Sequence, residues 1–150
     1  MKFQVVNDSN SLSEGYSIAK FQGIEEITLP SGTNVFKLQF KLCVMKAGAP
    51  VEIEFNTGVI ASSKENPGVL SEQVVKQLCE SVGVAYNPVI DIPAKGEDLG
   101  AFGTVIKIYM KKKIHNGRDI LNMGWQDGRI MWPAKVTTND TPEQKEDYGI

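Results

Sequence analysis

The fold turns on residues 105–125, Val105-Ile106-Lys107-Ile108-Tyr109-Met110-Lys111-Lys112-Lys113-Ile114-His115-Asn116-Gly117-Arg118-Asp119-Ile120-Leu121-Asn122-Met123-Gly124-Trp125. At its centre, Asn116-Gly117 is the pair that most readily takes the positive φ of a type I′ turn, so the segment reads as a hairpin with His115 opposite Arg118. The side chains test that register. Carried outward, it sets Lys112 against Leu121, Met110 against Met123 and Ile108 against Trp125 on one face. On the other it sets Lys113 against Ile120, Lys111 against Asn122, Tyr109 against Gly124 and Lys107 against Gln126. One face is largely apolar and the other is basic and polar around a single tyrosine; a slip of one residue would mix them. This register assigns Trp125 to the core and leaves one side of the Tyr109 ring uncovered over Gly124.

The neighbouring segments read as more sheet. Phe36, Leu38, Phe40, Leu42 and Val44 alternate with Lys37, Gln39 and Lys41, the period-two mark of a strand with one buried and one wet face over 34–44. An earlier strand spans 16–27, ended by Pro30-Ser31-Gly32, and a third carries Val51, Ile53 and Phe55 between Glu52 and Glu54. Residues 58–68 read as a loop. Ser71 then caps one helix whose apolar positions Val74, Val75, Leu78 and Cys79 precede a stop at Gly83. Residues 84–99, with Pro88 and Pro93, form an ordered loop. After the hairpin, Asp127-Gly128 signals a second turn and residues 129–133 a short strand bearing Trp132. The expected architecture is mainly β, an OB-fold-like barrel of five to six strands with one α-helix. It has a polar, flexible lead-in over 1–15, the folded domain over 16–136 and an acidic disordered tail over 137–150.

Composition narrows the function classes. The chain has 150 residues, 41% hydrophobic and 23% charged, which suits one globular domain and excludes collagenous or coiled-coil organisation. No apolar run is long enough for a transmembrane helix. The opening residues turn polar too early for a secretory signal, and Cys43 and Cys79 form no CxxC pair, so the expected location is cytoplasmic, with reduced thiols. No Walker loop, GxGxxG or HExxH occurs, and the single histidine, His115, has no partners for a zinc site. Cys79 reads as core filling, and Glu52 and Glu54 as solvated sheet surface. The chain is read as a non-enzyme without cofactor or metal.

The net charge of −2 is unevenly spread. Residues 105–118 hold Lys107, Lys111, Lys112, Lys113 and Arg118 and no acid, whereas the tail holds Asp140, Glu143, Glu146 and Asp147 against Lys145 alone. Single-stranded nucleic acid is held by cations that follow its phosphates and by aromatic faces that accept its unstacked bases. Lys107, Tyr109, Lys111 and Lys113 supply both along one strand face, with Lys37, Lys41, Arg118 and Trp132 as further candidates. Strand-face lysines also serve to block edge pairing and keep a protein soluble. The competing reading is therefore a β-rich protein-interaction module, a phage accessory or inhibitory protein, that uses Trp132 and Tyr148. The tail, through Asp140, Glu143, Glu146, Asp147, Tyr148 and Ile150, is the candidate partner-docking segment, able also to compete in cis for the basic face.

Taken in order, several short pieces resemble a known family. These are Glu14-Gly15-Tyr16, Asn34-Val35-Phe36-Lys37-Leu38-Gln39-Phe40, Leu78-Cys79-Glu80-Ser81-Val82-Gly83, Leu99-Gly100, Val105-Ile106-Lys107-Ile108, Lys113-Ile114-His115-Asn116-Gly117 and Gly124-Trp125. Their order and spacing are similar to those of the phage-encoded single-stranded DNA-binding proteins with an OB-fold. The resemblance implies a homodimeric OB-like protein of the host-cell cytoplasm that protects single strands during phage DNA replication or recombination. It also implies that replication or recombination proteins are partners for the tail.

Overall fold

The computed structural model describes residues 1–2 and 14–134. Residues 3–13 of the expected lead-in lie outside the described residues, as does the tail with Asp140, Glu143, Glu146, Asp147, Tyr148 and Ile150.

Alternation drives the sheet. In β2 (Asn34–Lys46), Leu38, Phe40 and Leu42 are buried while Lys37, Gln39 and Lys41 face outward. The strand pairs antiparallel with β1 (Gly15–Thr28) on one side and β3 (Ala49–Ile60) on the other. Ala19 and Phe21 of β1 and Ile106, Ile108 and Met110 of β4 (Val105–His115) join the same core. Each large apolar side chain buried there contributes roughly 1.5–3 kcal/mol. Strand order is β3-β2-β1-β4-β5, with β5 at Arg118–Met123, and β6 (Met131–Pro133) pairs with β4. The result is a mainly β, OB-fold-like half-barrel with one helix, α1 (Glu72–Val82), between β3 and β4 in the chain.

The two ends of that row, β3 and β5, share no backbone ladder and meet through a side chain. The buried Thr57 hydroxyl donates to Asn122 Oδ1 at 3.0 Å and accepts from the Met123 N–H at 2.9 Å. The helix closes one end of the core. Ser71 Oγ accepts from Val74 N–H at 3.5 Å, and Gly83 ends the helix at φ 82°. Gln77 Oε1 accepts from Ile130 N–H at 2.8 Å and Met131 N–H at 3.2 Å, which fixes the approach to β6.

The hairpin register holds from His115↔Arg118 to Met110↔Met123, around Asn116 at φ 53° and Gly117 at φ 76°. It then departs from the expectation. After Met123 only the Gly124 N–H donates back to Tyr109 C=O, at 2.8 Å. Asp127-Gly128 turns the chain, and β6 takes over the β4 edge, pairing Met131 with Ile108 and Trp132 with Lys107. Met131 thus fills the core position expected for Trp125, which is 36% exposed instead. The third strand also runs further than expected, through Gly58 to Ile60, because Gln39, Leu38 and Lys37 of β2 continue to pair with Gly58, Val59 and Ile60.

Candidate nucleic-acid interface

On the outer face of the sheet, pairing between β1 and β4 places Tyr16 directly beside Tyr109, and pairing between β4 and β6 places Trp132 beside Lys107. The rings form a connected patch. Tyr16 meets Tyr109 edge-on at 4.9 Å and Trp132 edge-on at 5.3 Å between centroids. The Lys107 ammonium lies 4.7 Å from the Tyr16 ring centroid and 5.8 Å from that of Trp132. Lys111 Nζ lies 6.0 Å from the Tyr109 ring centroid. Cations over ring faces are attracted by the ring quadrupole. All three rings are half-buried, so each keeps some surface open to solvent.

Lys111 also reaches the second part of the site. A cleft of about 940 Å³ lies between the end of β3, the end of β5 and the start of α1. Lys37, Lys64, Lys111 and Lys113 line it together with Trp125, and among the described residues no carboxylate side chain does. Among the described residues, none of these four lysines is in an ion pair; Glu72, beside the cleft residue Ser71 in sequence, is engaged by Lys76 at 3.1 Å. Two glycines shape the floor. A Cβ on Gly124 would sit 2.8 Å from Lys111 Cδ, and one on Gly58 would sit 2.7 Å from Lys37 Cε and 2.5 Å from the Leu38 carbonyl oxygen. The absence of a side chain at each lets a lysine stem lie across the backbone. Gly124 therefore does not leave an empty space above its neighbours, as the sequence suggested: the Lys111 methylenes occupy it.

Of the residues expected from the sequence, Lys107, Tyr109 and Trp132 come together in the aromatic patch, and Lys37, Lys111 and Lys113 in the cleft. Lys41 sits on the outer face of β2 between Lys20 and Asn56 and does not line the cleft. Arg118 is exposed at the hairpin tip, away from both groups of lining residues. Three members were missed: Tyr16, Lys64 and Trp125. Tyr16 joins through a pairing between strands distant in sequence. Lys64 comes from a loop without periodicity. Trp125 was misassigned by carrying the hairpin pairing past Met110↔Met123, where the ladder ends.

The remaining chemistry points away from nucleophiles. Cys43 and Cys79 are buried and free, and burial pushes both thiols up from the ordinary cysteine range, Cys43 further so through Glu52. Protonated thiols are poor nucleophiles. Cys79 fills the helix–sheet contact as expected. Glu52 and Glu54 are exposed, with Glu52 Oε1 3.8 Å from Lys20 Nζ. Among the described residues no helix is long and apolar enough to cross a membrane. No protein-family model matches the chain, and no curated protein matches it.

Proposed function

We propose that this protein binds single-stranded DNA, non-catalytically and with little sequence preference. The observation that carries this reading is the continuity of the site. Three rings on the outer face of β1, β4 and β6 lead through Lys111 into a cleft that, among the described residues, is lined by four lysines and no carboxylate. Unstacked bases need exposed π-faces, and their phosphates need cations along the path of the strand. Lys107, Tyr109, Lys111, Lys113 and Trp132 are the main contacts in this reading, joined by Lys37. Lys41 and Arg118, outside the assembled strip, contribute only long-range attraction. The tail residues Asp140, Glu143, Glu146, Asp147, Tyr148 and Ile150 remain the partner-docking segment. Protection of DNA in phage replication or recombination, and a homodimeric state, follow from the resemblance alone.

Titration with poly-dT at two salt concentrations tests the reading. Affinity is expected to fall with salt at a slope near −0.7 per phosphate neutralised. Tyr109→Ala is expected to weaken binding by about 1–3 kcal/mol on every sequence alike. No binding at low salt, or a Tyr109→Ala variant that binds as the parent does, removes the proposal.

A further inference from the structure

We infer that the cleft between β3, β5 and the start of α1 is a second base-receiving subsite. In it Trp125 stacks on a nucleobase while Lys64 and Lys37 hold the flanking phosphates. This rests on the proposed single-strand binding and extends it to residues outside the hairpin strip. The cleft, about 940 Å³, is within the size range of small-ligand pockets and can admit a nucleotide. Its charge is one-sided, since Lys37, Lys64, Lys111 and Lys113 line it without an acid among the described residues. Trp125 lines the same cleft with 36% of its surface open, although the core position expected for it is taken by Met131. An indole left partly in water beside uncompensated ammonium groups matches what a base and its phosphates require together. Continuity adds a further argument: Lys111 lines the cleft and sets its ammonium 6.0 Å from the Tyr109 ring centroid, so it links the aromatic patch to the cleft. Gly124 and Gly58 let the Lys111 and Lys37 stems lie against the backbone, which lines the floor with their methylenes.

The chain has two tryptophans, so Trp132→Phe leaves Trp125 as the only indole reporter. That variant is titrated with fluorescein-labelled oligo-dT, following anisotropy and tryptophan emission in parallel. The expected result is quenching of Trp125 in step with the rise in anisotropy. In the otherwise unchanged protein, Trp125→Leu should bind about 5- to 150-fold more weakly, the equivalent of losing one stacked base. Lys64→Gln, at a loop position, should lower the salt slope by about 0.7. Rising anisotropy with unchanged Trp125 emission, and full affinity in both variants, overturns the subsite while leaving single-strand binding intact. Absence of any anisotropy change in the parent protein overturns both. Quenching of Trp125 by poly-glutamate but not by oligo-dT overturns the subsite in favour of an acidic protein partner.

Discussion

The two halves of β4, Val-Ile-Lys-Ile-Tyr-Met at 105–110 and Lys-Lys-Lys-Ile-His at 111–115, meet opposite fates. Residues 105–110 lie between β1 and β6, and the alternating Ile106, Ile108 and Met110 are fully buried. Residues 111–115 are paired in the sheet with β5 alone, and there Lys112 is exposed and Ile114 is 79% exposed. The Lys112 N–H, on the side away from β5, donates to Glu14 at 2.8 Å. Alternation therefore marks a face, and only neighbouring strands decide whether that face becomes core. The first half anchors the barrel; the second carries lysines outward, where Lys111 and Lys113 meet the cleft.

That contrast can be broken most directly by removing an anchor. Ile108→Ala is expected to destabilise the protein by about 2–5 kcal/mol, because it opens a cavity in a packed core; denaturant unfolding measures it. A loss below 1 kcal/mol would mean that the inner half of β4 is packed no better than the outer half. Thr57→Val comes next. It leaves the Met123 N–H without its partner at the β3–β5 junction and should cost about 1–3 kcal/mol by the same measurement. Lys113→Gln should leave unfolding unchanged but reduce the salt slope of poly-dT binding by about 0.7, which separates the outer half as a ligand-facing element. The smallest effect belongs to Ile114→Ser, within about 0.5 kcal/mol, as for exposed positions generally. A marked destabilisation there would show that the outer half has a packing partner.

Much of this architecture was legible in the residues. Period-two alternation located β2 and the first part of β3, Ser71 and Gly83 bounded the helix, and Asn116-Gly117 fixed the β4–β5 hairpin register through Met110 and Met123. What escaped was non-local. Nothing near Tyr16 announces that it will stand beside Tyr109, since that contact depends on how β1 pairs across the sheet. The end of β5 was equally hidden. Asp127-Gly128 marked a turn, but not that the returning strand would displace Trp125 from the β4 edge. Within the candidate site the lysines of β4 were evident from their spacing, whereas the cleft depends on a loop, a strand end and a helix start converging. Lys37 and Lys41 illustrate the limit: both occupy the same face of one strand, yet only Lys37 lines the cleft.

The glycines at 58 and 124 have a consequence for how tightly anions can be held. A lysine in open solvent samples many rotamers and surrenders them on capture, at up to about 2 kcal/mol for a long side chain. Where the methylenes of Lys37 and Lys111 already rest on bare backbone, part of that ordering precedes the arrival of any ligand. The strip would then behave less like a brush of independent bristles than like a rail laid in advance, with a smaller entropic loss for each phosphate gripped.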